Sequence, residues 1–259
     1  MPSIVLTRDA AGCARYEGML APLAVVSMPV TCTAQPADPA ALGRALARGT
    51  YAAIVCASAR AAEALVLARR GEPWPAVWAV GSATAAVLSA AGMAVVVPPG
   101  VADASTLAAA LVAHLSHRLA RGDAATLAPR VLVPRAQDGR DEGLAILRAG
   151  GIEVVDVAVY RTLATAADDP ALASGRAALE NGAAVVCAVF APSQVAALDA
   201  LLEAHGGRGI RAIAMPFVAI GDTTAAALRD AGAGAIAVAA VPTPEGLAKA
   251  VAAVYPPTR

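Results

Sequence analysis

Short runs of aliphatic and β-branched residues alternate with longer Ala- and Leu-rich segments along the whole chain. The short runs predict strands near residues 3–7, 24–30, 53–57, 76–80, 94–97, 130–134, 153–161, 184–189, 216–220 and 235–239, with helices between them and at the C-terminal end. Strands alternating with helical segments point to a parallel, doubly wound α/β sheet. In the segment around 104–120, Leu107, Leu111, Leu115 and Leu119 recur at helical spacing and predict the core face of one long helix.

The same pattern is written twice. Residues 79–92, AVGSATAAVLSAAG, match 219–232, AIGDTTAAALRDAG, at eight of fourteen positions. Val55-Cys56-Ala57-Ser58 echoes Val189-Phe190-Ala191-Pro192-Ser193, and Val5-Leu6-Thr7-Arg8 echoes Val131-Leu132-Val133-Pro134-Arg135. Pro98-Pro99-Gly100 ahead of Ser105-Thr106-Leu107 echoes Pro242-Thr243-Pro244 ahead of Gly246-Leu247. Four landmarks in one order imply duplication, hence two flavodoxin-like halves. The pattern alone would divide the chain at the polar segment 120–129.

Composition narrows the picture. Hydrophobic residues make up 58% of the 259 residues and aromatics 3%, so the core must be built from Ala, Val and Leu, which suits close packing of helix on sheet. Formal net charge is zero and Lys249 is the only lysine, which argues against a phosphate-neutralising nucleic-acid binder. The uncharged stretch from Pro73 to Ala102 is interrupted by Pro75, Gly81, Gly92 and Pro98-Pro99, so it holds no apolar helix of about 20 residues. With no basic, long-apolar leader at the N-terminus, the chain reads as cytoplasmic. Cysteines 13, 32, 56 and 187 form no C-x-x-C pair and read as free thiols. His114 and His117 lie one helical turn apart with no thiol or carboxylate beside them, and read as surface residues.

The candidate chemistry sits at strand ends. Gly81 and Gly221 fall where a strand gives way to a helix, a place that suits a tight turn, a Ser or Thr cap and an anion on the free N–H groups. Asp222 would oppose such an anion. Ser58 and Ser193 occupy similar positions, where capping is the simpler role. Arg8, Arg135 and Arg140 stand at or just after strand ends and could fork a carboxylate. Tyr160 ends an apolar strand. No G-x-G-x-x-G, Walker A, serine elbow or H-E-x-x-H pattern is present.

Taken together the chain resembles the uroporphyrinogen-III synthase family over nearly its full length. The resemblance rests on Val5-Leu6-Thr7-Arg8, Ser58-Ala59-Arg60, Val80-Gly81-x-x-Thr84-Ala85, Arg135 to Arg140, Val159-Tyr160-Arg161-Thr162, Phe190-Ala191-Pro192-Ser193, Ala219-Ile220-Gly221-x-Thr223-Thr224-Ala225 and Pro242-Thr243-Pro244-Glu245-Gly246-Leu247. Cys56-Ala57, Ala191 and Met215-Pro216 depart from its usual pattern. The resemblance implies two flavodoxin-like domains on a two-stranded linker, with strand 24–33 leading out of the first and strand 154–163 leading back. Domain 1 would comprise 1–34 and 164–259, domain 2 would comprise 35–163, and the site would be the cleft between them. It further implies a cofactor-free, monomeric enzyme that cyclises hydroxymethylbilane with inversion of the last pyrrole ring through a spiro intermediate. The implied polar positions are Arg8, Ser58, Arg60, Thr84, Arg135, Arg140, Ser193 and Thr224, with Tyr160 assisting loss of the hydroxyl. The rival expectation is a non-catalytic two-domain binder of tetrapyrroles or other small ligands.

Overall fold

The computed structural model describes residues 1–69, 74–121, 128–206 and 208–255. The chain separates into two compact units, Met1–Cys32 with Leu163–Arg259, and Thr33–Thr162. The polar segment 120–129 falls within the second unit, and residues 122–127 lie outside the described residues.

The first unit is built on five strands: β1 (Ser3–Leu6), β2 (Ala24–Ser27), β9 (Ala184–Val189), β10 (Phe217–Ala219) and β11 (Ile236–Val238). They lie in the order β11-β10-β9-β1-β2, with every ladder parallel. Helices α1 (Ala10–Ala14), α7 (Ala173–Glu180), α8 (Pro192–Gly206), α9 (Asp222–Asp230) and α10 (Pro244–Val254) complete this unit. Alternate strand residues feed two cores, one around Val5, Cys187, Val189 and Phe217, the other around Ile4, Leu6, Val186 and Val218. Burial on both faces is why these strands are continuously apolar.

The second unit carries β3 (Thr31–Ala34), β4 (Ala53–Cys56), β5 (Val77–Ala79), β6 (Val95–Val96), β7 (Arg130–Ala136) and β8 (Glu153–Ala164) in the order β3-β8-β7-β4-β5-β6; the division of the chain falls within β3 and within β8. The ladders from β8 through β6 are parallel. Its helices are α2 (Ala41–Arg48), α3 (Ala59–Ala68), α4 (Gly81–Ala90), α5 (Ala104–Ala120) and α6 (Glu142–Ala149). Ala61 and Ala62 are fully buried in α3, where small side chains let the helix lie close to the sheet.

Both sheets have the same layout entered at different points. Counting β1 or β7 as position one, each reads 2-1-3-4-5, the flavodoxin-like order, with β3 added at the edge of the second sheet beside β8. The third to fifth positions come from β9, β10 and β11 in one sheet and from β4, β5 and β6 in the other. Each sheet therefore joins the opening strand of one sequence repeat to the later strands of the other. Arg8 and Arg135 become positional equivalents, as do Ser58 and Ser193, and Gly81 and Gly221.

Four expectations are corrected. The stretch 24–33 is not one strand: it breaks at Met28-Pro29-Val30, where Pro29 has no N–H to continue a ladder and the Val30 N–H turns back to the Met28 carbonyl. That break hands the chain from one sheet to the other. In α5, Leu107, Leu111 and Leu115 are buried, but Leu119, in the last turn of the helix, is 41% exposed. Neither α4 nor α9 has a side-chain cap; Val80 and Gly221 occupy those cap positions. Finally, α8 begins at Pro192, so Ser193 lies inside the helix and cannot cap it.

All four cysteines are free: Cys13, Cys56 and Cys187 are buried and Cys32 is exposed. Among the described residues no helix is long and apolar enough to cross a membrane, and no cluster of metal-ligating side chains occurs. His114 packs its ring against Trp78 at 5.1 Å.

Candidate functional site

In open α/β sheets the place where strand order reverses leaves a crevice at the carboxyl ends of the strands. In the second unit that reversal lies between β7 and β4, and a pocket of about 420 Å³ opens there. Its walls include Ser58 after β4, Arg135 near the end of β7, Gly139 and Arg140 after it, Tyr160 of β8 and Asp103 ahead of α5. A larger pocket of about 870 Å³ lies at the amino ends of β4 and β5, around Tyr51 and Trp74. Its arginine, Arg44, is already paired with Asp38, so it offers less chemistry to an anion.

Ser58 caps α3 by accepting a hydrogen bond from the Ala61 N–H at 3.2 Å. The Tyr160 Oη lies 3.3 Å from the same Ser58 Oγ. A hydroxyl has one hydrogen to donate and two lone pairs to accept with. With one lone pair on Ala61, Ser58 can donate to Tyr160 and leave the phenolic hydrogen free for the pocket. The Tyr160 carbonyl accepts from the Gln137 N–H at 2.7 Å, which ties β8 to the turn carrying Arg140.

Arg135 is heavily engaged. Its Nε donates to Asp156 at 2.9 Å, Nη2 to Asp141 at 2.7 Å, and Nη1 to the carbonyls of Gly139 and Arg140 at 3.0 and 2.8 Å. Its side chain is only 18% exposed. The guanidinium thus fastens the 136–141 turn and has little left for a ligand. Arg140, by contrast, is exposed and forms no ion pair within 4 Å among the described residues. Asp103 is the carboxylate on this wall. The Thr106 N–H and hydroxyl hold it below the usual carboxylate range, with a smaller pull from Arg140.

The remaining sequence candidates are placed elsewhere. Arg60 is exposed on α3 and Thr84 is buried in α4, and neither lines this pocket. Thr224 is buried in α9, and its N–H is taken by the Gly221 carbonyl at 3.1 Å. Ser193 is exposed in α8. In the first unit, strand order reverses between β1 and β9, and Arg8 stands there. Its guanidinium lies 4.6 Å above the Phe190 ring and donates to the Tyr16 hydroxyl at 3.3 Å. Beside it the Thr7 hydroxyl donates to Gln194 Oε1 at 2.7 Å, and the Phe190 N–H donates to the same oxygen at 3.0 Å.

Sequence reasoning missed Asp103, Gln194, Arg15 and Tyr16. Asp103 was within reach, since an acidic residue three before Thr106 at the head of an apolar stripe is a capping box. Gln194 follows the Pro-Ser pair but carries no signal of its own. Arg15 and Tyr16 follow a helix of five residues, too short to show periodicity.

Two solved structures share this fold. A mutant uroporphyrinogen III synthase of Thermus thermophilus aligns with a TM-score of 0.57 and 19% identity, over 98% of this chain and 99% of its own. The uroporphyrinogen-III synthetase of Helicobacter pylori gives a TM-score of 0.61 and 16% identity, over 98% and 99% respectively. A search of curated proteins finds no significant relative. The sequence profile of uroporphyrinogen-III synthase HemD matches residues 22–249, which span both units. The chain belongs to the uroporphyrinogen-III synthase family.

Proposed function

We propose that this chain is a cyclising lyase that converts hydroxymethylbilane to uroporphyrinogen III with release of water. Family membership supports the reading, and the pairing of Tyr160 with Ser58 in a pocket beside Arg140 is the observation that carries the chemistry. The substrate is a flexible chain of four pyrroles bearing eight carboxylates. Arg140, exposed and without an ion pair within 4 Å among the described residues, is suited to hold one of them.

Loss of the terminal hydroxyl needs a proton on the departing oxygen. The Tyr160 phenol supplies it, and the Ser58 O–H steadies the oxygen left behind. The pyrrole N–H then gives up its proton to that oxygen, leaving a neutral azafulvene and water. Attack on this electrophile by the substituted carbon of the last ring gives the spiro intermediate, whose opening and reclosure invert that ring. The pyrroles provide the electron push, so no cofactor is required, and the protein's share is orientation. We take the domains to be 1–34 with 164–259, and 35–163, in a cytoplasmic monomer.

The test supplies hydroxymethylbilane, oxidises the products and resolves isomers I and III. The wild-type chain should give isomer III. Tyr160→Phe keeps the ring and deletes the hydroxyl. A well-placed general acid is worth roughly 10²–10⁴-fold, so turnover should fall by about 10²-fold and isomer I should rise as the uncatalysed closure competes. Unaltered rate and isomer ratio would remove Tyr160 from the chemistry. Absence of any isomer III from the wild-type chain would favour a binding protein instead.

A further inference from the structure

The first unit contains an arrangement that its own side chains leave incomplete. Tyr16 is 1% exposed, and two arginines converge on its hydroxyl: Arg8 Nη1 at 3.3 Å and Arg15 Nη2 at 3.2 Å. Each guanidinium is also laid over a ring, Arg8 over Phe190 at 4.6 Å and Arg15 over Tyr16 at 5.1 Å. The two rings are themselves packed at 5.5 Å. Aromatic faces fix the planes of the guanidinium groups and partly offset their charge.

A guanidinium offers five N–H donors, and these contacts use one from each. Among the described residues neither arginine forms an ion pair within 4 Å. Two carboxylates are near in the chain. Asp9 Oδ1 accepts from the Gly12 N–H, and Glu17 stands exposed at the head of a short 3-10 turn. Two like charges are thus gathered on one neutral oxygen, and neither is paired with a carboxylate within 4 Å among the described residues. The place they share is the carboxyl end of β1 beside β9, where this sheet's order reverses and ligands bind in such folds.

We propose that Arg8 and Arg15 form a carboxylate-binding fork, built on the Tyr16 hydroxyl and the Phe190 ring. A carboxylate there would accept from both guanidinium groups and relieve their repulsion. If the chain acts on hydroxymethylbilane, the occupant is one acetate or propionate arm of the tetrapyrrole; that identification, unlike the fork itself, rests on the proposed function.

Calorimetric titration of the full chain tests both, with two probes: uroporphyrin III, an octacarboxylate tetrapyrrole, and mellitate, a hexacarboxylate without pyrroles. Arg8→Gln and Arg15→Gln should each weaken both probes roughly tenfold, the scale of a charge-assisted hydrogen bond. The double variant should lose little more than either single one, since one carboxylate bridges both groups. Arg229→Gln, an exposed arginine on α9, should change neither probe. The free Arg→Gln proteins should melt at the same temperature or higher, because a like-charge contact is removed; a purely structural pair would melt lower. Arg15→Lys keeps the charge, loses the planar fork and should still weaken binding several-fold. Mellitate binding that depends on both arginines, with no uroporphyrin binding even in the wild type, would uphold the fork and sink the tetrapyrrole reading. Unchanged affinities for both probes in all the variants would overturn the fork.

Discussion

Arg8 and Arg135 occupy the same position in two copies of one sheet, and they do different work. Both stand at the carboxyl end of the opening strand of a 2-1-3-4-5 order, Arg8 just past β1 and Arg135 at the penultimate residue of β7. Arg135 is surrounded by Asp156, Asp141 and two carbonyls and is spent holding its own turn. Arg8 forms no ion pair within 4 Å among the described residues and shares a phenol with a second arginine. An arginine at a strand end is therefore a scaffold or a receptor according to what the rest of the fold places beside it. Duplication kept the position and let the neighbours diverge.

The sharpest way to break this comparison is to remove each guanidinium in turn. Arg135→Ala leaves Asp156 and Asp141 without their cation and frees the 136–141 turn. Because the side chain is mostly shielded, the loss should be about 2 kcal/mol, lowering Tm by roughly 4–8 °C. Differential scanning calorimetry reads it directly. Arg8→Ala should leave Tm within about a degree or raise it. Equal destabilisation by the two would erase the distinction. Turnover of Arg135→Ala should fall with a rise in KM, since the turn carries Arg140 to the pocket.

A smaller effect separates the equivalent glycines. Gly81 enters α4 at φ +73°, a region that L side chains disfavour, though a Cβ there would meet nothing within 4 Å. Gly81→Ala should cost about 1–2 kcal/mol through backbone strain alone. Gly221 is extended at φ −176° with equally open space, so Gly221→Ala should change stability by less than about 0.5 kcal/mol. Chemical denaturation of both variants checks the difference.

The smallest effect at neutral pH concerns a feature the two sheets share. Burial pushes Cys56 in β4 and Cys187 in β9 up to about 12, from an ordinary value of 9.0. The unfolded chain ionises these thiols first. Stability should be indifferent to them below about pH 8 and fall as pH rises from about 9 toward 12. Iodoacetamide at about pH 8 should label Cys32 well ahead of Cys13, Cys56 and Cys187, and denaturation should abolish the difference. Fast native labelling of either buried strand thiol would mean its sheet opens readily.

How much of this was legible depends on the range of the signal. The ten apolar runs became strands with ends shifted by a residue or a few, because burial on both faces dictates continuous apolar sequence. Strand β3 had no signal of its own in the apolar pattern, and the resemblance ran it together with β2 as one strand 24–33; Thr31-Cys32-Thr33-Ala34 is not apolar, and it is a separate strand because β8 lies beside it. The strand-end rule picked out Ser58, Arg135, Arg140 and Tyr160, which line one pocket. It also picked out Thr84 and Thr224, whose side chains helix packing buries. Nothing marked Arg15 or Tyr16, since their meaning depends on Phe190, far along the chain.

The sequence by itself determined the alternation of strand and helix, the duplication, and the family, because these are written in local periodicity and in motifs that need no partner. The residue pattern alone would cut the chain between its repeats, and the family resemblance implied instead that the N-terminal strand joins the C-terminal third; the tertiary structure supplied the strand order, with β1 beside β9 and β7 between β8 and β4. That order sets which charges meet. Arg135 finds Asp156 because β7 pairs with β8, and Arg8 finds Phe190 because β1 pairs with β9. A charge pattern along a chain cannot reveal such meetings, since a guanidinium's role is fixed by groups within a few ångströms of it in space, whatever their distance in sequence.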